Sequence, residues 1–225
     1  MKKVSLLFLL LYISLSSAQS TITKNIGDFS TLKVYSGIEV ELIKSTVQKI
    51  EISGEKSKKV KIKNTDGTLK ILLRFPEVSA NGKVLVKLYY NTKIMVIDAN
   101  EGSIITGKNI TQDKLTVKTQ ERAFINLVIK VKEITVKAIS GGIIKLTGTA
   151  DNQQVKVDLY GNYHGYLLNV SGNSIVKSGT GAKAEILTKG TLTAKVNFGG
   201  SIFYKGNPSL IKDKKVAGGI IQKRN

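Results

Sequence analysis

Proton transfer, nucleophilic attack and metal binding each need particular side chains in combination, and this 225-residue chain offers few of them. His164 is the only histidine, and cysteine and tryptophan are absent. One imidazole with no thiolate cannot complete a zinc site. The sixteen Asp and Glu residues are scattered, with no two adjacent. Glycoside hydrolysis needs two carboxyl groups facing one bond. A calcium-dependent lyase needs an acidic cluster and a base. Neither pattern is visible, so the residues predict no catalytic site, no metal and no cofactor.

Cations and tyrosines remain. Thirty-five Lys and Arg oppose the sixteen acids, and only Arg74, Arg122 and Arg224 are arginines. A formal charge of +19, or +17 without Lys2 and Lys3, attracts polyanions over a range that salt shortens. Scarce arginine argues against specific nucleic-acid recognition, which favours the guanidinium fork. The densest aromatic patch is Leu159–Leu167, where Tyr160, Tyr163 and Tyr166 flank His164. It reads either as a sugar-stacking contact, since tyrosine combines an apolar face with a polar tip, or as a corner filled by a bulky ring.

The elements that must position these groups are strands. Leu32/Val34, Ile38/Val40/Leu42, Ile50/Ile52, Leu69/Ile71 and Val84/Val86/Leu88 alternate with polar neighbours, the period of a sheet with one buried face. Asn64-Thr65-Asp66-Gly67 and Asn81-Gly82 mark turns. No segment beyond the first twenty residues sustains helical spacing. In the second half, Ile134–Gly148 and Leu192–Gly206 align without a gap, and Leu115–Leu127 is a third copy with Arg122-Ala123 at the Gly-Gly position. Weaker copies start near Ile94, Val155 and Ile175. A period near twenty with a glycine corner predicts an all-β parallel β-helix, whose coils share one core by stacking. An antiparallel sandwich or barrel is the rival, with shorter and less regular hairpin spacing.

Stacking turns equivalent positions into columns. The alignment places Lys118, Lys137 and Lys195 in one outward column interrupted by Asp158. It places Lys156 in the neighbouring column with Thr116, Thr135 and Thr193. Such a row can track a polyanion, or it can simply guard the sheet against unwanted pairing.

Lys2-Lys3, the apolar run Val4–Leu15 and the small residues before Gln19 have the layout of an export signal. The run is short for a bilayer span. The expectation is cleavage after Ala18, a single domain over 19–225, and a mature chain with no transmembrane segment, residing in the periplasm, on the outer surface or outside the cell. Lacking cysteine, that chain must rely on burial and backbone pairing for stability.

Phe29–Leu42, Asp66–Ile71 and the closing Gly200–Pro208 and Val216–Ile221 resemble the landmarks of the head GIN domain family, also called putative auto-transporter adhesin head domains. The resemblance implies a right-handed parallel β-helix exported by bacteria, with an adhesin-like role inferred from architecture alone. Arg122-Ala123 and Asn162-Tyr163 depart from the family's small-residue corners. The resulting expectation is a non-enzymatic binding or scaffold protein of the cell envelope. Its partner would be acidic polysaccharide, lipopolysaccharide or another surface protein. A polysaccharide-active enzyme and a purely structural envelope protein are the alternatives, and open β-helix ends would permit end-to-end oligomers.

Overall fold

The computed structural model describes residues 21–225; the expected export signal, residues 1–18, lies outside the described residues. The strands of the first half are β1 (Ile22–Asn25), β2 (Thr31–Val34), β3 (Glu39–Lys44), β4 (Lys49–Ser53), β5 (Val60–Thr65), β6 (Thr68–Leu73), β7 (Leu85–Tyr90) and β8 (Val96–Ala99). Three long strands follow, β9 (Ile104–Thr119), β10 (Phe124–Ala138) and β11 (Ile143–Val157). The rest are β12 (Asn162–Val170), β13 (Asn173–Ser178), β14 (Lys183–Thr188), β15 (Thr191–Asn197), β16 (Ser201–Lys205), β17 (Leu210–Val216) and β18 (Ile220–Lys223). They wind into a β-solenoid of about 7 turns with about 19 residues per turn.

Alternation along each strand creates the core. Val117, Val136, Val155, Val176 and Ala194 lie in register on β9, β10, β11, β13 and β15, and all five are buried. One position earlier along these strands, Thr116, Thr135, Gln154, Ile175 and Thr193 face outward. The next inward column reads Leu115, Ile134, Gln153, Ser174, Leu192. Its two polar members are buried and bonded to one another: Gln153 Nε2 donates to Ser174 Oγ at 3.0 Å, and Ser174 Oγ lies 2.8 Å from Thr188 Oγ1. Tyr163 reaches the same group, with its hydroxyl 3.4 Å from Gln153 Oε1.

These polar core positions shift the copies away from the sequence alignment. Coils containing Gln153 and Ser174 were expected to start near the first apolar residues, Val155 and Ile175, whereas strand pairing places Gln153 opposite Ile134 and Ser174 opposite Gln153. The copy expected at Ile94 likewise begins at Met95, because Val96 pairs with Thr116.

Corners obey a stricter rule than a glycine pair. Two consecutive residues take positive φ, as in Glu121-Arg122 (55°, 61°), Ser140-Gly141 (50°, 72°), Leu159-Tyr160 (46°, 63°) and Phe198-Gly199 (46°, 75°). A small residue then turns inward: Ala123, Gly142, Gly161 or Gly200. A Cβ at Gly142 would lie 2.6 Å from Thr119 Oγ1, so its size is fixed by the coil beneath. The expected departure at Asn162-Tyr163 is therefore corrected: the corner is Tyr160-Gly161, and Asn162 already begins β12.

The first half is not a simple continuation. β2 lies between β6 and β8, and β3 between β7 and β9, so the chain enters the stack in its interior. It then builds the coil on one side (β6, β7) before crossing to the other (β8, β9). β4 runs antiparallel to β7 and β1, and β5 antiparallel to β6. These antiparallel strands cover the N-terminal end of the core, into which β4 buries its own Ile50 and Ile52. At the other end every residue of β17 is exposed.

Candidate functional site

Strand pairing connects the outward lysines into one column. Lys118 pairs with Lys137, Lys137 with Lys156, Lys156 with Lys177, Lys177 with Lys195, and Lys195 with Lys214. Six lysines thus occupy six consecutive rungs. The three lysines expected to share a column do share it. Lys156, expected beside the threonines, belongs to the lysine column as well, and Asp158, expected to interrupt it, lies beyond the end of β11. Both corrections follow from the Gln153 register. Lys177 and Lys214 were missed.

On the side of Lys118 away from Lys137 the column passes through Asp98 and continues with Lys33 and Lys70. The Asp98 side chain is only 14 % exposed, and its Oδ2 lies 3.8 Å from Lys33 Nζ. Burial pushes its carboxyl above the ordinary aspartate range, while Lys33, Lys118, Asn100 and Lys137 pull the other way without prevailing.

Some lysines are paired within the fold, whereas those of the six-lysine column belong with the many that are not. Lys49, Lys56, Lys83, Lys93, Lys114, Lys132 and Lys183 each lie within 4 Å of a carboxylate. Among the described residues none of the six has such a partner. All six are half-buried or exposed, so the aliphatic stems lie along the sheet with the ammonium groups in solvent. Neighbouring rungs are ~4.8 Å apart.

The tyrosine patch divides. Tyr163 is fully buried, and burial drives its phenol far above the ordinary range; it is a core residue and no contact surface. Tyr160 is 67 % exposed at its corner. His164 and Tyr166 face outward from β12, half-buried. His164 Nδ1 lies 2.7 Å from Glu185 Oε2, Lys183 Nζ donates to Glu185 Oε1 at 3.0 Å, and Lys205 Nζ sits 5.2 Å from the centre of the Tyr166 ring. Burial raises the Glu185 carboxyl, but the hydrogen bonds and charges of His164 and Lys183 outweigh it, so the net shift is downward. Lys145, Leu146, His164, Tyr166 and Leu167 line a shallow hollow here.

A cavity of about 560 Å³ beside Tyr35 and Ser36 contains two carboxylates, Glu77 and Glu101. Each already has a partner. Lys56 Nζ lies 2.6 Å from Glu77 Oε2, and the Ser36 amide donates to Glu101 Oε2 at 3.0 Å. Burial and the nearby Asp98, Glu101 and Glu121 push the Tyr35 phenol upward.

The model of a family described as "Putative auto-transporter adhesin, head GIN domain" matches residues 28–208. Among solved structures, a "putative adhesin" from Bacteroides fragilis superposes with a TM-score of 0.83 at 18% identity, over 93% of this chain and 98% of that one. A "putative adhesin" from Parabacteroides distasonis gives 0.67 at 18% identity, covering 92% and 97%. A "putative lipid binding protein" from the same organism gives 0.71 at 14% identity, covering 93% and 98%. At these identities the likeness establishes the fold. No curated protein sequence matches the chain.

Proposed function

The chain belongs to the auto-transporter adhesin head GIN domain family, and from that membership we propose that it is an exported, non-enzymatic, adhesin-like module of the cell envelope that holds polyanions against its lysine face. The observation that carries this reading is the run of six lysines in register, none with a carboxylate partner among the described residues. Like charges on adjacent strands disfavour the sheet, so an external anion is their natural complement.

Several features support the remaining parts. The basic start, apolar run and small residues ending at Ala18 support export with cleavage there, leaving residues 19–225 as the working domain. No helix among the described residues is long and apolar enough to cross a membrane. A non-enzymatic role is favoured by the engagement of Glu77 and Glu101 within the fold. Lys212, Asp213, Lys214 and Lys215 place charge along the exposed edge strand β17, which opposes end-to-end pairing and favours action through the solenoid side.

The test is retention of the full mature chain on immobilised dextran sulfate and polygalacturonate at two ionic strengths. Retention that weakens with salt, and weakens further in the Lys118→Gln/Lys137→Gln/Lys195→Gln variant, supports the reading. No retention on either matrix at low salt refutes it.

A further inference from the structure

We infer that the ligand of the lysine column is an extended, unbranched acidic polysaccharide that lies parallel to the solenoid axis and meets about one lysine per rung. The inference rests on the polyanion reading above and assigns its partner. It follows from the shape of the charge. Lys118, Lys137, Lys156, Lys177, Lys195 and Lys214 lie on a line, and five steps of ~4.8 Å make it about 24 Å long. Among the described residues no other lysine run combines this length with the lack of carboxylate partners.

A line of ammonium groups selects among polyanions. A compact polyphosphate needs donors that converge, and these diverge along an axis. The strands of duplex nucleic acid wind away from a straight row, and the column contains no arginine fork. A membrane surface would call for cations spread over an area with apolar groups to insert. The flanking column on the same face reads Thr116, Thr135, Gln154, Ile175 and Thr193, polar on every rung but one, about two residues along the strand or ~7 Å away. Threonine hydroxyls both donate and accept, which suits the hydroxyl-rich edge of a sugar chain. Sugars of an extended polyuronate advance by a length comparable to one rung, so those carboxylates that turn toward the sheet recur in a straight row and can meet ammonium groups repeatedly without either chain bending.

Asp98 gives the track a terminus. It occupies the rung next to Lys118 and is engaged by Lys33, so a polyanion running along the six lysines meets a carboxylate there. The other end, at Lys214 beside Lys212 and Lys215, is open.

The experiment measures binding of the full mature chain to oligogalacturonates of graded length, with inositol hexakisphosphate as a compact polyanion, at low and moderate salt. Affinity should climb with each added sugar until the oligomer spans the six rungs, then rise only as statistics dictate. The quadruple variant K118Q/K137Q/K156Q/K177Q should lose at least about tenfold for the spanning oligomer, as several exposed ion pairs are removed together. A variant of equal net charge with exposed lysines changed elsewhere, K61Q/K108Q/K130Q/K189Q, should lose less than about threefold, the effect of the general field alone. Circular dichroism confirms that both variants fold. Equal losses in the two variants, absence of a length plateau, or tighter binding of the compact polyanion than of the spanning oligomer would overturn the linear track while leaving a polyanion-binding module standing. Failure of every polyanion, including dextran sulfate and polygalacturonate, removes the functional reading itself.

Discussion

Without a ligand, the lysine column should destabilise the fold it decorates, and neutralising part of it should raise stability in a salt-dependent way. Changing Lys137 and Lys177 to Gln removes four neighbour repulsions, because each lies between two column lysines. Two unit charges one rung apart repel by about 0.9 kcal/mol in a water-like dielectric. Screening at physiological salt, with a Debye length of about 8 Å, cuts that by roughly half. Four contacts then amount to about 2 kcal/mol, and splaying of the flexible stems reduces this to ~1 kcal/mol. For a domain of this size the gain corresponds to a Tm increase of about 2–4 °C. The assay is thermal unfolding by circular dichroism at about 20 mM and about 500 mM NaCl, beside a K61Q/K189Q control of equal charge. The double variant should gain over wild type and over the control at low salt, and the gain should largely disappear at high salt. An unchanged or lower Tm at low salt refutes the reasoning, as does a gain of equal size at both salt concentrations, because repulsion along the column predicts neither.

Three other predictions concern the structure that positions the column. Ser174→Ala leaves the buried Gln153 amide and the Thr188 hydroxyl without their shared partner, so it should cost about 1–3 kcal/mol, seen as a lower urea midpoint at unchanged m. Tyr163→Phe, losing only a 3.4 Å contact, should shift that midpoint much less. Gly142→Ala drives a Cβ to 2.6 Å from Thr119 Oγ1 and 2.8 Å from the Thr119 carbonyl carbon. It should unfold the chain at markedly lower temperature than Gly102→Ala, where open space leaves only the left-handed backbone penalty of about 1 kcal/mol. Finally, the depressed Glu185 carboxyl stabilises the fold above pH about 4.5, the value to which it returns on unfolding. That contribution is lost as pH falls through its lower folded value. Urea midpoints between pH 3 and 7 should therefore fall less on acidification in Glu185→Gln than in wild type, and parallel profiles would refute the assignment.

How far the sequence could be read depended on where polar residues entered the core. Wherever the inward column is apolar, as at Leu115, Ile134 and Leu192, alternation placed the strands correctly and the lysines outward. At Gln153 and Ser174 the same rule failed, since a search for apolar phase steps to Val155 and Ile175. The start at Val155 displaced Lys156 and made Asp158 look like an interruption, the start at Ile175 hid Lys177, and Lys214 was missed because it lies on β17, beyond the last aligned copy. A local signal independent of phase was present: Thr-apolar-Lys recurs at Thr31–Lys33, Thr68–Lys70, Thr116–Lys118, Thr135–Lys137 and Thr193–Lys195, and each copy lies on the same face of the stack. Val96-Ile97-Asp98 occupies the equivalent rung with a carboxylate in place of the ammonium. The entry of β2 and β3 into the middle of the stack was not legible, because alternation reports which face a residue occupies and not which strand will lie beside it.

The polar residues that obscured the register also help to specify it. An all-apolar column tolerates sliding by two residues, since alternation is preserved and the buried face stays buried. The bonds joining Tyr163, Gln153, Ser174 and Thr188 across successive coils do not survive that slide, and each buried group left unbonded would cost about 1–3 kcal/mol. Such a slide would also move Lys156 from beside Lys137 to a position opposite Thr135, since Thr135 and Lys137 are adjacent outward positions on β10. The hydrogen bonds inside the coil thus help hold the outward lysines in one straight row, and the linear geometry on which the polysaccharide assignment depends is fixed in part from within the core.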